Sequence, residues 1–248
     1  MKGVHLGVGE AFDEDYPNNS HLILSETRLL LDCGYSIPHK MWKYNPDQSF
    51  LDAVYISHPH ADHYFGLPAL LTRMWEEKRT KPLTIICQKE LKNQIKDILD
   101  YAYKGISKKF GFKLDFIEAK ESQNVDFNEF KLSFAPTIHP VSNLAIRISD
   151  KSNTMCYSGD GMFTEKAEKL YKDSNLVIHE AFLFDKKREG HAIITDLIEM
   201  AKRNSVKCLA LTHIQRDCRR NELKKIKDRI SREKIKIIIP KPLEEYQL

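Results

Sequence analysis

The sequence predicts an α/β protein in which two mixed β-sheets pack face to face between outer layers of helices, a four-layer αββα sandwich. Short apolar runs of strand length alternate with helical segments along the whole 248-residue chain. Both halves of the chain show the same order of elements, strands first and helices interleaved with them. Strand groups interleaved with helices bury their apolar faces as sheets covered by helices, and two such groups predict two sheets.

The elements of the first half are recognised by runs rich in Val, Ile and Leu that end in loop residues. Strands are predicted at Val4–Leu6, Leu22–Leu24, Arg28–Asp32, Ala53–Ser57 and Leu83–Cys87, with one helix after His63 and another through Lys89–Lys104. The second half continues the alternation. Its predicted strands are Lys113–Ile117, Phe127–Phe134, Leu144–Ile148, Thr154–Ser158, Asn175–His179, Val206–Thr212 and a closing Ile235–Ile239, and its predicted helices are Thr164–Lys172, Ile193–Asn204 and Arg219–Glu233.

Composition indicates an ordinary globular enzyme. Hydrophobic residues make up 42% of the chain, which is enough for one large core, so residues 1–248 are expected to form a single domain. No stretch approaches the roughly 20 apolar residues of a membrane-spanning helix, and no membrane partner is expected. The five cysteines include no CxxC pair, which favours buried, reduced thiols and a cytoplasmic location.

The most informative segment is the run His58-Pro59-His60-Ala61-Asp62-His63, which follows a buried strand and precedes a helix. Three imidazoles and one carboxylate this close together favour a bound cation. Neutral imidazole and carboxylate donors suit zinc, manganese or iron, with zinc the first choice. His58 and His60 alternate along extended backbone while Asp62 and His63 follow a turn, so the donors divide into two pairs and predict two neighbouring ions.

Two ions need more ligands than one loop supplies. Three further candidates, His139, Asp160 and His213, each stand where a predicted β-run stops and a loop begins. Loops at strand ends are where functional side chains concentrate. These residues are therefore expected to complete the metal site.

The seven candidate ligands follow the order HxHxDH, His, Asp, His, and in this the chain resembles the metallo-β-lactamase fold superfamily. The resemblance implies that one ion is held by three histidines, the second by three other residues, and that one aspartate bridges both. In that order the ligands are His58, His60 and His139; Asp62, His63 and His213; and the bridging Asp160. It also implies that Asp32, in the run Leu29–Gly34, orients the ligand loop through a hydrogen bond.

Two further motifs resemble the ribonuclease Z branch of that superfamily, namely His179-Glu180-Ala181-Phe182 and Gly190-His191-Ala192. The resemblance implies that a carboxylate and an imidazole meet beside the metals and protonate the leaving oxygen. Asp62, Glu180 and His191 are accordingly the expected catalytic residues. His179 is expected to face away from Glu180, because neighbouring residues of a strand point to opposite sides.

The predicted function is hydrolysis of small or cyclic nucleotide-like phosphodiesters by a metal-bound hydroxide, since two divalent ions can lower the pKa of a shared water to near neutrality. In short ribonuclease Z enzymes a long tRNA-gripping arm is inserted between the ligands that correspond to His139 and Asp160. Here only 20 residues separate these two, and they already contain two predicted strands. The alternatives are a ribonuclease Z-like nuclease acting on RNA or tRNA 3′ ends, a hydrolase of another ester class, and a non-catalytic metal-binding sensor.

Charge supports a small substrate. The net charge of +4 is mild, and much of it comes from the segment Arg216–Lys234. A basic helix face of this kind is typical of a solvated surface, with RNA phosphates as the alternative partner. The segment Tyr101–Phe110 is a candidate lid or contact surface for a homodimer, which relatives commonly form. Three isolated histidines, His5, His21 and His39, are expected to be surface residues or internally hydrogen-bonded.

Overall fold

A computed structural model describes residues 1–248. The chain forms two β-sheets that lie against each other, and helices cover the outer face of each. The first sheet has seven strands in the order β15-β1-β2-β3-β4-β5-β6. Its strands are β1 (Lys2–Gly7), β2 (Ser20–Leu24), β3 (Arg28–Leu31), β4 (Ala53–Ile56), β5 (Leu83–Cys87), β6 (Leu114–Glu118) and β15 (Glu244–Gln247).

The second sheet has the order β11-β8-β9-β10-β12-β13-β14, and β7 pairs with β8 beside this path. Its strands are β7 (Asn124–Phe127), β8 (Phe130–Ile138), β9 (Leu144–Ser149), β10 (Thr154–Tyr157), β11 (Met162–Phe163), β12 (Leu176–Glu180), β13 (Cys208–Thr212) and β14 (Lys236–Ile238). Strands β10, β12, β13 and β14 run parallel, as do β3, β4, β5 and β6. The carboxyl ends of each parallel group therefore point to one edge.

The helices pack outside the sheets. They are α1 (Ile37–Tyr44), α2 (Ala61–Tyr64), α3 (Leu67–Glu76), α4 (Lys89–Ala102), α5 (Glu165–Tyr171), α6 (Ile194–Arg203) and α7 (Arg216–Ile230), with a 3₁₀ turn at Ile106–Lys109. None of them combines the length and apolar composition needed to cross a bilayer.

Three buried apolar layers hold the sandwich together, which confirms the predicted αββα architecture. One layer joins the first sheet to α1, α3 and α4, and another joins the second sheet to α5, α6 and α7. The third lies between the sheets, where Tyr55 of β4 stacks on Phe134 of β8 with ring centroids 6.0 Å apart. All five cysteines are free thiols, four of them buried and Cys208 half-buried, as predicted.

Two predicted strands differ from the structure, and one helix was missed. The strand predicted at Phe127–Phe134 is the hairpin β7–β8, turned at Asn128, whose φ of 52° lies in the left-handed region. Helix α1 was not predicted, because it is short and begins with a proline. The strand at Ile235–Ile239 does not close the chain. Strand β15 follows it and returns to the first sheet to pair antiparallel with β1.

Candidate metal centre

All seven predicted ligands lie at one edge of the sandwich. Five come shortly after strands, and Asp62 and His63 lie on the short helix α2 that follows β4. The predicted ligands form two groups, and within each group the donor atoms lie within 4.8 Å of one another. The first group is His58, His60, His139 and Asp160, and the second is Asp62, His63, Asp160 and His213. Asp160 belongs to both groups, as it does in the division predicted by the resemblance, and the assignment of these residues to two ions remains a prediction.

The second group is tightly packed. The Nε2 atom of His63 is 3.1 Å from Asp62 Oδ2 and 3.4 Å from Asp160 Oδ1. The Nε2 atom of His213 is 3.4 Å from an oxygen of each of the same two carboxylates. In the first group, His139 Nε2 is 3.1 Å from His60 Nδ1, and His58 Nε2 is 3.9 Å from Asp160 Oδ2. Nitrogen lone pairs and carboxylate oxygens thus converge on common points.

Buried donor atoms without partners show that the residues present fit cations. His58 Nε2, His63 Nε2 and Asp160 Oδ1 are buried and hydrogen-bonded to nothing. A buried polar atom without a partner is costly, so such atoms require an explanation. Three atoms of this kind that face one another in a cluster of imidazoles and carboxylates are explained by metal coordination.

The opposite ring nitrogens are engaged in a way that frees the Nε2 lone pairs. His63 Nδ1 donates to Asp32 Oδ2 over 2.7 Å, and His139 Nδ1 donates to the carbonyl of Gly190 over 3.0 Å. The hydroxyl of Ser57 donates to Asp32, which leaves it to accept from His58 Nδ1 at 3.0 Å. Hydrogen bonds of this kind fix the tautomer and orientation of metal-binding histidines.

The local charge also favours a cation. Burial lowers the pKa of His63, but the nearby carboxylates of Asp160, Asp62 and Asp32 outweigh burial and raise this pKa well above the usual value. Burial likewise lowers the pKa of His213, but Asp160 and Asp62 raise it to about 9. The carboxylates thus favour positive charge at both rings. Since imidazole binds a metal only when neutral, cation binding has to displace any proton that gives a ring this charge.

Glu180 and His191 lie in contact beside this cluster. Glu180 ends β12 and is fully buried, and its Oε1 bonds to His191 Nδ1. The second carboxylate oxygen accepts from the backbone N–H of Gly161 at 2.5 Å. The His191 ring stacks on Phe182 with centroids 4.1 Å apart and planes at 19°. His179 points to the other side of the strand, where it packs against Tyr171 of α5.

The cluster opens into a cavity of about 460 Å³. Several of its lining residues escaped the sequence prediction because they lie on loops without a recognisable pattern. They are Glu10, Ala11, Phe12, Tyr35, Pro140, Arg188 and Gln215. Arg216, the first residue of α7, also lines the cavity. Phe12 is 76% exposed and Tyr35 is 48% exposed, so two aromatic rings stand at the mouth of the cavity largely uncovered. The one signal in the sequence that could have identified Phe12 is its position as a lone aromatic residue in the acidic loop after β1.

The basic start of α7 is engaged within the protein. Arg219 donates to both carboxylate oxygens of Asp13 at 2.8 Å, and Arg216 pairs with Glu10. Arg220 bonds to the next acidic residues along the same loop, Glu14 and Asp15. The acidic loop 10–15 thus pairs with the three arginines at the start of the segment Arg216–Lys234, the alternative candidate for binding RNA. The segment Tyr101–Phe110 does not line the cavity. Ile106 and Phe110 pack into the core of the first sheet, so ordinary packing and a dimer contact are the remaining alternatives for this segment.

The three isolated histidines behave as expected. His39 is exposed on α1, whereas His5 and His21 are fully buried and hydrogen-bonded to each other through their Nδ1 atoms, 3.0 Å apart.

Comparison with known proteins agrees with the fold and with a metal-dependent hydrolase. Ribonuclease Z of Methanococcus maripaludis is 26% identical, with all of both chains covered. The probable metallo-hydrolase YhfI of Bacillus subtilis is 28% identical over 75% of each chain. The crystal structure of the human short-form tRNase Z superposes with a TM-score of 0.81 at 20% identity, covering 100% of this chain and 99% of that one.

The protein is therefore a metal-dependent hydrolase of the metallo-β-lactamase fold, in the ribonuclease Z-like branch. Within it, the chain belongs to the family described as anti-Pycsar protein Apyc1, whose sequence model matches residues 1–236.

Proposed function

We propose that the protein is a phosphodiesterase that uses two divalent metal ions, zinc in the first place, to hydrolyse small or cyclic nucleotide-like phosphodiesters. Hydrolysis of phosphodiesters, the broader class, agrees with relatives such as ribonuclease Z. The observation that carries the proposal is the Glu180–His191 pair, which sits beside the ligand cluster and faces a cavity of about 460 Å³. That volume lies in the range of sites for small molecules, roughly 300–1,000 Å³.

We assign the first ion to His58, His60 and His139, the second to Asp62, His63 and His213, and Asp160 to both. Two ions bound there would polarise the phosphoryl oxygens and make a water nucleophilic at neutral pH. The ligand set is supported by the convergence of unpartnered, buried donor atoms.

The chain's own catalytic contribution is proton transfer to the leaving oxygen. Glu180 engages Nδ1 of His191 and is itself held by the backbone N–H of Gly161. Stacking on Phe182 restricts rotation of the imidazole. The Nε2 atom of His191 is therefore the ring nitrogen free to exchange a proton with a substrate in the cavity. Positioned acid groups of this kind contribute typically 10²–10⁴-fold to rate.

The mouth of the cavity suits a nucleobase. Phe12 and Tyr35 present aromatic surface, and Arg188 lies over the ring of Phe182, 5.2 Å from its centroid. Stacking of a base on an aromatic ring contributes about 1–3 kcal/mol and tolerates any base, because every base has a π-face.

Ribonuclease Z-like processing of RNA is the second candidate, and it is favoured by the names of the relatives. Two observations argue against it. The segment between His139 and Asp160 is taken up by the β9–β10 hairpin, so no arm projects there. The arginines at the start of α7 are paired with loop 10–15. A homodimer, a cytoplasmic location and a single domain remain predictions.

The test is a substrate panel with zinc-loaded and manganese-loaded protein, comparing cyclic mononucleotides, linear dinucleotides and a 3′-extended precursor tRNA. We expect turnover of small diesters and no specific cleavage of the tRNA. Site-specific tRNA cleavage with inert small diesters would establish the second candidate instead. A metal-loaded protein that leaves all three untouched would indicate another ester class or a sensor.

A further inference from the structure

A continuous series of hydrogen bonds leads away from the metal cluster into the space between the two sheets. It begins where His63 Nδ1 meets Asp32 Oδ2, and it continues through the hydroxyl of Tyr157, which lies 2.7 Å from the same oxygen. Asn19 Nδ2 is 3.3 Å from that hydroxyl. Asn19 Oδ1 is 3.0 Å from His21 Nε2, and His21 Nδ1 is 3.0 Å from His5 Nδ1. The complete series is His63, Asp32, Tyr157, Asn19, His21 and His5.

Every member of this series is completely buried. Burial lowers the pKa of His5 to about 3, and it lowers the pKa of His21 well below the usual value, so both rings are neutral at pH 7. Two neutral imidazoles whose Nδ1 atoms are 3.0 Å apart share one proton between these atoms. Polar groups in such a setting are retained in one arrangement, because an unmade bond between buried groups is costly.

The donors and acceptors impose a single direction on the series. Asn19 Oδ1 can only accept, so His21 donates from Nε2, and its Nδ1 accepts from His5. The amide nitrogen of Asn19 donates a hydrogen bond to the hydroxyl oxygen of Tyr157. The hydroxyl proton of Tyr157 is then left for Asp32, and Asp32 receives it on the oxygen that also accepts from His63.

We propose that Tyr157, with Asn19 and His21 behind it, is a positioning element for the second metal site, holding Asp32 so that His63 presents Nε2 to the ion. This role rests on the proposed two-metal function. The argument is geometric: Asp32 Oδ2 has three donors, Ser57 Oγ, Tyr157 and His63, all 2.7 Å away. Removing the tyrosine hydroxyl leaves that oxygen with two donors instead of three, so the orientation of the carboxylate toward His63 is less firmly fixed, with Ser57 as its remaining support.

The experiment compares Tyr157→Phe with Tyr55→Phe. Tyr55 is a matched control, since it is also fully buried between the sheets, and its hydroxyl donates to the carbonyl of Leu144 over 2.6 Å rather than to Asp32. Zinc dissociation constants are measured by competition with a chromophoric chelator. The ¹⁵N chemical shift of His63 Nδ1 in zinc-loaded protein reports its bond to Asp32.

We expect Tyr157→Phe to weaken the second zinc by about 10-fold, the lower end for changes behind a metal ligand, and to move the His63 resonance. Tyr55→Phe should leave both values close to those of the wild type even where it costs similar stability. Equal zinc affinity and an unmoved His63 resonance in Tyr157→Phe would overturn the proposal. If that variant does not fold, Asn19→Ala serves in its place, with an expected weakening of several-fold.

The outcome is separable from the proposed function. A wild-type protein that binds no zinc at all would reject the two-metal site itself. A wild type that binds two equivalents, together with a Tyr157→Phe variant of unchanged affinity, would reject only the positioning role.

Discussion

At the scale of single residues, the site consists of side chains that are distant in sequence and meet at the ends of strands. His191 and Glu180 illustrate this, since eleven positions separate them and yet His191 Nδ1 contacts Glu180 Oε1. The contact follows from Glu180 ending β12 while the loop before α6 folds back, with the carbonyl of Gly190 bonded to His139. The loop before α6 thus contacts both the candidate ligand His139, through Gly190, and Glu180, through His191.

If His191 protonates the leaving oxygen, its importance has to depend on the leaving group. His191→Ala should reduce kcat for nucleotide diesters, whose alkoxides are poor leaving groups, by about 10²–10⁴-fold. Bis(p-nitrophenyl) phosphate needs far less protonation and should lose much less. The measurement is kcat for both substrates at equal metal content, with the exposed His39→Ala as control. An equal loss on both substrates would contradict the assignment.

Phe12 is predicted to bind the base. Because Phe12 is exposed at the cavity mouth and is not one of the candidate metal ligands, Phe12→Ala should raise KM for nucleotide substrates by about 5–100-fold, the equivalent of losing one stacked base. Hydrolysis of bis(p-nitrophenyl) phosphate should change little. Phe12→Trp keeps a stacking surface and should retain the nucleotide KM. A nucleotide KM that Phe12→Ala leaves unaltered would exclude this role.

Burial of His5 should make the stability of the fold sensitive to acid. The pKa of His5 falls to about 3 on burial, while in the unfolded chain it is about 6.5. Between these values the unfolded state binds more protons, so stability rises with pH and is lost as pH falls below 6.5. This residue alone should lower the free energy of unfolding by about 1.4 kcal/mol per pH unit. The free energy of unfolding, measured with urea at pH 7.5 and 5.5, should differ less between the two pH values for His5→Leu than for the wild type. Equal differences in the two proteins would argue against this role of His5.

At the scale of elements, the loop after β1 and helix α7 form one wall of the cavity and are joined by ion pairs of unequal burial. The side chain of Arg219 is 13% exposed, and that of its partner Asp13 is 1% exposed. The guanidinium of Arg219 also lies 4.0 Å from the ring centroid of Tyr16. Arg220 makes its pairs at the open surface.

Burial should decide what these pairs contribute. Arg219→Ala leaves the buried carboxylate of Asp13 without its countercharge, with only the backbone N–H groups of Asp15 and Tyr16 still donating to it. This should lower the free energy of unfolding by about 3 kcal/mol. Arg220→Ala removes an exposed pair and should be close to neutral. Urea denaturation of both variants makes the comparison, since they are adjacent on the same helix. Similar losses of unfolding free energy in the two variants would show that burial does not determine how much each ion pair contributes.

Most elements were predictable because the strands are apolar runs of ordinary length and the helices are amphipathic. The exceptions have local causes. The β7–β8 hairpin turns at Asn128, which has no glycine beside it, and β15 has the sequence Glu244-Glu245-Tyr246-Gln247, which carries no strand-like apolar pattern. Its place in the first sheet is set by pairing with β1, a long-range contact that local sequence does not reveal.

At the scale of the whole molecule, the cluster of candidate metal ligands could be predicted because their residue types and spacing are restrictive. The cavity walls could not, since Phe12, Tyr35 and Arg188 are common residues on irregular loops. The series from His63 to His5 was also beyond sequence reasoning. It joins residues of β1, β2 and β10, and only the stacking of the two sheets brings Tyr157 against Asp32.

The central claim, catalysis by two metal ions shared through Asp160, is tested most directly by titrating zinc into metal-free protein. Bound zinc and turnover of a cyclic nucleotide are followed together. The account predicts two equivalents per chain, full activity only at the second, and loss of activity in Asp160→Asn with weakened binding of both ions. Turnover in the metal-free protein, or full activity with a single equivalent, would contradict it.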